Sequence, residues 1–465
     1  MNPVLLKELR QSVRNRYVLA AYIIFIVVLL IVAGVQTSLA VRESWDNPQS
    51  VFRTGKTLFM TVHGIFAALG VLFVPTYVLS RIIRERWGTD LDLMYVTPMP
   101  PSALLIGKFG SAMAMAGLFL SAALPFLALS YFIGGIDVLT IVMTILLTLE
   151  VIAVLTLCAI VVAIAPMPKI LRGVAQLGYV GLLVGVTSAW AAASAGLCET
   201  GYRSIFANRN TCVTLVESMA AGLSAGALLY AAALAGFRPA ASDRMRPFRI
   251  LATALFIVWG CVAAIQSQYA YFTDFVDVWV GLLIIFSAGM IVVGLSERAE
   301  PGMCLRRQRP HSPVARALGT VLGFPFRTGQ INAVCWAALM LMAGILASYI
   351  MPSAAADDGM KFVRTFALNI SGYALTLLVL WRYFLRRKGM PCASLWWVTG
   401  VTITIITAIL GPMSAGGVDG ISYMVGYLFA EHVPVTRLYV WNALAVLSLL
   451  PALIENGLRH EATPS

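Results

Sequence analysis

The sequence predicts an all-α polytopic membrane protein, and its composition and charge pattern carry that prediction. Hydrophobic residues make up 60% of the 465-residue chain and charged residues only 12%, whereas soluble domains carry about 25% charged residues. Apolar runs of roughly 20 residues, the length that crosses a bilayer as a helix, recur along the whole chain. Between these runs, the positive charges are distributed unevenly.

The apolar runs predict about twelve transmembrane helices. A run of about 20 apolar residues crosses a bilayer as one helix, whose backbone groups bond one another inside the lipid. The predicted spans are approximately residues 17–40, 58–80, 109–133, 137–165, 173–197, 213–237, 250–267, 276–295, 331–351, 362–384, 395–410 and 438–454.

An amphipathic helix over residues 1–16 is predicted to precede the first span. Its leucines Leu6 and Leu9 share a stripe with Val13, and a second stripe is basic. Such a helix lies in the membrane interface, where each basic side chain contributes about 1 kcal/mol of attraction to anionic lipid. The interfacial basic residues are Lys7, Arg10 and Arg14.

The basic residues also predict the orientation. Twelve spans place both termini on one side, and the segments on that side hold 25 of the 33 Lys and Arg residues. Because Lys and Arg collect in cytoplasmic loops, both termini are predicted to be cytoplasmic. The same bias accounts for the net charge of +12 without a nucleic-acid partner.

One polar stretch on the predicted cytoplasmic side, residues 81–108, is organised as a helical elbow. Thr89 is suited to cap a short helix, and Gly88 permits a turn before it. Pro98 and two further prolines end that helix, because proline lacks the N–H group and clashes with the preceding turn. A stiff elbow of this kind is suited to docking a partner protein.

Two motifs in this chain occur in the order found in one family of membrane proteins. The first, residues 2–10, reads NPVLLKELR. The second consists of Glu85-Arg86, Gly88-Thr89, Leu91-Asp92-Leu93-Met94, Thr97-Pro98 and Gly107-Lys108. Together they resemble ABC-2 type transporter permeases, the membrane subunits of ABC exporters, over about the first half of the chain.

The resemblance implies a mechanical role without catalytic residues in this chain. The elbow would dock on a separate ABC ATPase, which would bind ATP and Mg²⁺, so no cofactor is expected in the permease itself. A second copy of the permease or a paralogous permease would complete the exporter, in the plasma membrane, that is, the bacterial inner membrane. The implied docking residues are Glu85, Gly88, Thr89, Asp92, Met94, Thr97 and Pro98.

Glu150 lies in the middle of the fourth predicted span. An ionisable residue at that depth is a functional-site candidate, and the alternative is a protonated or hydrogen-bonded acid packed inside the bundle. His63 is interpreted as a packing residue. Gly55-Lys56-Thr57 lacks the upstream glycine of a phosphate-binding loop. No clustered His, Cys, Asp and Glu residues indicate a metal site.

Cys198 and Cys212 flank a short loop predicted to lie outside, where disulfides persist. The sequence predicts that they form a disulfide, the alternative being two free thiols. The other five cysteines are interpreted as apolar packing residues.

The chain is predicted to divide into an ABC-2-like six-helix unit over 1–237, with the coupling segment 81–108, and a second six-helix unit over 238–465. Two other functions remain open. A twelve-helix secondary transporter would need ionisable residues near the midplane, and only Glu150 qualifies. A membrane scaffold that transports nothing would need more docking surface than the short outer loops offer.

Overall fold

The computed structural model describes residues 3–44, 50–87, 100–165, 169–238, 244–266, 273–294, 326 and 330–350. These residues are helical apart from short connections. The helices are α1 (Pro3–Val13), α2 (Arg16–Ser44), α3 (Ser50–Trp87), α4 (Pro101–Ile133), α5 (Val138–Ile164), α6 (Lys169–Thr200), α7 (Tyr202–Ala207), α8 (Arg209–Phe237), α9 (Arg246–Gln266), α10 (Thr273–Gly294) and α11 (Gln330–Ile350).

Seven helices in the described part of the chain, α2 to α6, α8 and α9, are long and apolar enough to cross a membrane. This confirms an all-α membrane protein but does not support the predicted count of about twelve spans. The eighth and ninth predicted spans correspond to shorter apolar stretches, Val278–Ile291 and Asn332–Ser348. The last three predicted spans, about 362–384, 395–410 and 438–454, lie outside the described residues.

The chain divides into two compact units, Met1–Arg238 and Pro239–Ser465, one residue from the predicted division. In the first unit, α3 is central and packs against α2, α4, α5 and α6, while α5 also packs against α8. One face of α3 is fully buried because apolar residues recur along it every three to four positions. Its buried residues include Leu58, Phe59, Val62, Phe66, Val71 and Val74.

Helix α3 extends beyond its predicted span at both ends. It covers 38 residues, whereas the hydropathy pattern predicted only 58–80. The additional turns carry charged residues such as Arg53, Arg81 and Glu85. The charge-bearing end near Arg81 meets α1 and the start of α4, and we call this the α1 end of the unit.

The opposite end of the first unit is held by a glycine turn between α4 and α5. Gly134 and Gly135 adopt φ values of 100° and 89°, a region that glycine occupies without steric cost. A Cβ atom on Gly55 of α3 would lie 1.9 Å from the Gly134 carbonyl oxygen, so α3 and this turn touch backbone to backbone. The short helix α7 lies at the same end, which we call the α7 end.

In the second unit, α10 packs against α9 and α11. Phe248, Phe286 and Trp336 form an aromatic cluster with ring centroids 6.4 to 6.5 Å apart. The Trp336 indole N–H donates to Thr253 Oγ1 at 3.0 Å. This unit therefore has a core of its own.

Candidate functional site

Four charged side chains from three helices meet at the α1 end. Glu8 lies on α1, Arg81 and Glu85 on α3, and Lys108 on α4. The Arg81 Nη2 atom is 2.7 Å from Glu8 Oε2, and Lys108 Nζ is 3.2 Å from Glu8 Oε1. Arg81 Nε is 3.4 Å from Glu85 Oε1, and Lys108 also pairs with Glu85 Oε2. We call these four residues the charge cluster.

The charge cluster is electrically balanced and closed. Each carboxylate oxygen has a cationic partner, and each cation bridges both glutamates. Glu8 and Lys108 are 2% and 3% exposed, so neither charge is solvated by bulk water. Because a buried ion is costly unless it is paired, all four groups depend on the correct placement of the three helices.

A glycine allows α1 to approach α4 closely enough to form these pairs. A Cβ atom on Gly107 would lie 2.7 Å from Val4 Cγ1 and 3.2 Å from the Leu5 backbone nitrogen. The protein-facing side of α1 consists of Val4, Glu8 and Ser12, spaced by four residues as a helix face requires. The Gly107-Lys108 pair thus provides both the space for α1 and the cation that meets Glu8.

Hydrogen bonds extend the charge cluster toward α2. Arg81 Nη1 donates to the Tyr77 hydroxyl at 3.4 Å, and another Arg81 nitrogen donates to Gln11 Oε1. Asn15 Nδ2, just before α2, also donates to Tyr77 at 3.4 Å. These contacts connect the charged α1 end with the start of the first span.

The charge cluster stands at the base of the predicted coupling segment. Glu85 lies two residues before the end of α3, and Lys108 lies in the second turn of α4. Their ion pair therefore holds together the two helices between which the segment runs. Of the predicted docking residues only Glu85 is described; Gly88, Thr89, Asp92, Met94, Thr97 and Pro98 lie outside the described residues.

The predicted interfacial residues Lys7, Arg10 and Arg14 are all exposed, as are Leu6 and Val13. Leu9 is half-buried. Helix α1 consequently presents basic and apolar side chains outward and turns Glu8 inward. The spacing of basic and apolar residues in the sequence identified the outward-facing side chains of α1, but it assigned no role to Glu8.

A second polar group runs along α5 through the core. Thr140, Thr144 and Thr148 are fully buried at four-residue spacing. The His63 Nε2 atom lies 2.8 Å from Thr148 Oγ1, which also accepts from the Trp190 indole N–H at 3.1 Å. We call these five residues the threonine ladder. It confirms the interpretation of His63 as a packing residue.

The α7 end continues the threonine ladder outward. Asp137 caps α5 because its Oδ2 accepts from the Thr140 backbone N–H at 3.2 Å, and its Oδ1 accepts from the Thr140 hydroxyl at 2.6 Å. The Tyr202 backbone N–H donates to the same hydroxyl oxygen at 3.2 Å. Burial raises the pKa of the Tyr202 phenol to about 12. The hydrogen bond from the Tyr202 backbone to Thr140 joins α7 to α5 without a charged group.

The predicted disulfide is not formed. Cys198 and Cys212 are both free thiols. Cys198 is buried at the end of α6, where its sulfur lies 4.0 Å from Thr144 Oγ1, while Cys212 lies in the first turn of α8. Helix α7 separates the two cysteines along the chain, and α6 turns Cys198 toward α5.

Glu150 lies half-buried on α5 against α8. A Cβ atom on Gly222 would lie 2.3 Å from Glu150 Oε1, so the carboxyl group occupies the space that the glycine leaves. That oxygen has no hydrogen-bond partner within the described part of the chain.

Among the described residues, no group of three His, Cys, Asp or Glu side chains is arranged to hold a metal ion.

No family model, curated protein or solved structure matches this chain.

Proposed function

We propose that this chain is the membrane-spanning permease subunit of an ABC-2 type exporter and works with a separate ATPase chain. The observation that supports this proposal is the charge cluster. Glu8 comes from the first motif, and Glu85 and Lys108 come from the two ends of the second. Residues singled out for their resemblance to one family thus contact each other in space.

In the proposed mechanism, the partner ATPase docks on the segment between α3 and α4. Gly88, Thr89, Asp92, Met94, Thr97 and Pro98 are its docking residues, next to Glu85. ATP and Mg²⁺ bind to the partner, and its closure moves the segment. The charge cluster makes α1, α3 and α4 move together, so that motion reaches the membrane along α3.

The proposal includes the finer topology. Twelve spans in a bacterial inner membrane, with both termini in the cytoplasm, place the α1 end on the side where the ATPase is found. The concentration of 25 of 33 basic residues on that side supports this orientation. A second permease copy or a paralogous permease completes the exporter.

The test is purification of the full chain from its host in mild detergent, with identification of co-purifying chains and an ATPase assay. We expect a subunit with a nucleotide-binding loop and ATPase activity. The Asp92→Lys, Pro98→Ala double variant should lose that subunit while keeping the size-exclusion profile of the wild type. Its matched control is the Arg203→Glu variant, at an exposed position of α7 at the other end, which should retain the subunit.

Two results would contradict the proposal. One is a chain that purifies without any ATPase. The other is a double variant that retains the ATPase as well as the wild type does.

A second candidate function, a secondary transporter, is favoured by Glu150 alone. Its carboxyl group is inside a span and has an oxygen without a partner among the described residues, as expected of a coupling-ion site. If the protein worked in this way, transport in vesicles would follow an ion gradient without ATP, and Glu150→Gln would abolish it. The exporter proposal expects ATP-dependent transport that survives this substitution.

A further inference from the structure

Helices α2 and α3 leave a long groove between them on the surface of the first unit. Its volume is about 900 Å³, and both helices are long and apolar enough to cross a membrane. Most of its length is apolar. The apolar lining includes Ile24, Phe25 and Val28 of α2 and Ile65, Leu69 and Leu72 of α3.

The groove is polar at one end only. Asn15, Tyr77, Arg81, Arg84 and Glu85 line it at the α1 end. From Ile65 to Arg81 the helix rises about 24 Å at 1.5 Å per residue, which is close to the thickness of one leaflet with its headgroups, about 20–22 Å, or half that of the whole bilayer. The groove therefore has the length and the polarity of a lipid molecule with its headgroup at the α1 end.

The charges at the polar end favour an anionic occupant. Arg81 and Glu85 neutralise each other and the rest of the charge cluster. Arg84 is exposed and forms no ion pair within the described part of the chain. Exposed Arg16 lies 5.4 Å above the ring of Tyr17, another lining residue, so the described residues at the mouth of the groove carry surplus positive charge.

We infer that the α2–α3 groove binds one anionic phospholipid from the leaflet at the α1 end. Its acyl chain lies along the apolar lining, and its phosphate pairs with Arg84, near the Tyr77 hydroxyl and the Asn15 amide. A guanidinium group is suited to a phosphate because it donates several hydrogen bonds in one plane. An apolar helix from a partner would fill the groove but would leave Arg84 without a counter-charge. The inference does not depend on the proposed function.

The test uses the full chain in phosphatidylcholine nanodiscs that contain a small fraction of a photoactivatable lipid. The label is carried by phosphatidylglycerol in one sample and by phosphatidylcholine with the same acyl chains in the other. Mass spectrometry then locates the crosslinked peptides. We expect phosphatidylglycerol to label the α2 and α3 peptides more strongly than phosphatidylcholine does.

The Arg84→Gln variant tests the headgroup contact. We expect its preference for phosphatidylglycerol in the groove to fall by about fivefold, the factor expected for one arginine at an anionic headgroup. Lys7→Gln is the matched control, because Lys7 is equally exposed on α1 but does not line the groove. Its labelling should stay within about twofold of the wild type, because its charge attracts anionic lipid only through the screened surface potential.

The Ala68→Trp variant tests the acyl contact. Ala68 lines the groove, so the larger side chain should reduce labelling by both lipids. Ala192→Trp, on an exposed face of α6, is its control and should leave groove labelling unchanged. Because Arg84 is exposed, the Arg84→Gln variant should keep the fold. It therefore tests the lipid inference even if the Ala68→Trp variant does not fold.

Three results would overturn the inference. The first is equal labelling of the groove by phosphatidylglycerol and phosphatidylcholine. The second is an equal loss of labelling in Arg84→Gln and Lys7→Gln. The third is protection of the groove from both lipids together with crosslinks to a second chain, which would assign the groove to a partner helix.

Discussion

The charge cluster and the threonine ladder hold the same bundle together by different means. At the α1 end, four ionised groups neutralise one another across α1, α3 and α4. Farther along α3, His63 and Trp190 share the hydroxyl oxygen of Thr148, and no charged pair is involved. Full charges thus lie near a helix end, where water and headgroups are close, and neutral hydrogen bonds lie deeper, where ionisation is costly.

Removing Lys108 should produce the largest effect, because it leaves the buried Glu8 and the partly buried Glu85 to share a single arginine. We expect Lys108→Met to lower the free energy of unfolding by about 3–5 kcal/mol, the usual cost of stripping one partner from a buried ion pair. Thermal unfolding in detergent micelles measures this. Lys7→Met on the exposed face of α1 is the control. Equal melting temperatures for the two variants would show that the charge cluster contributes little to stability.

A substitution at Gly107 tests whether close helix packing underlies the charge cluster. Gly107→Ala places a methyl group against Val4 and the Leu5 backbone nitrogen, which should push α1 away at a cost of about 1–3 kcal/mol. Gly110→Ala meets only the flexible end of Leu5, at 3.2 Å, and should cost less. The same melting experiment compares them, and limited proteolysis should release residues 1–16 faster from Gly107→Ala. Faster release from Gly110→Ala would contradict this role.

Substitutions in the threonine ladder should lower the free energy of unfolding less than substitutions in the charge cluster. Thr148→Val removes the oxygen shared by His63 and Trp190 and should cost about 1 kcal/mol, in the range measured for hydrogen bonds between membrane helices. Thr156→Val is the matched control, because Thr156 is equally buried but, among the described residues, bonds only the Ile152 carbonyl of its own helix. Trp190 fluorescence should shift only in Thr148→Val. If both variants melt alike, the cross-helix bonds add nothing.

The smallest effect is expected at Gly181 on α6, where a Cβ atom would meet no described residue within 4 Å. Gly181→Ala should be neutral or stabilise the helix by up to about 1 kcal/mol, since alanine has the higher helix propensity. Gly222→Ala, which confronts the Glu150 carboxyl group, should instead destabilise. A large loss of stability in Gly181→Ala would show that a partner covers this face.

The spans of the first unit were predictable because apolar runs mark helices in lipid. The first predicted span, 17–40, agrees with α2 to within a few residues. The predicted span for α3 was too short, because the apolar run stops at the first charged residues. The helix itself continues past them, since their side chains find partners. Arg81 and Glu85 are four residues apart, a spacing at which opposite charges pair along a helix. This spacing is the local sign in the sequence that α3 continues beyond its apolar run.

The charge cluster itself was not predictable from one sequence. Glu8 and Lys108 are 100 residues apart, and their pairing depends on the close approach of α1 to α4 at Gly107. The two motifs single out Glu8 and Lys108 as parts of one family pattern, but they do not indicate that the two side chains are in contact. The free thiols of Cys198 and Cys212 were unpredictable for a similar reason. The packing of α6 on α5, and not the length of the loop, determines the direction of the Cys198 side chain.

Pro75 lies inside α3, between its buried middle and the charge cluster. Proline removes one backbone hydrogen bond and clashes with the preceding turn, so bending of α3 is easiest at this point. The part from Thr76 to Trp87 is then a lever arm of about 18 Å at 1.5 Å per residue. A rotation of only about 10° at Pro75 moves its tip by about 3 Å. Through Arg81 and Glu85, α1 and α4 swing with it.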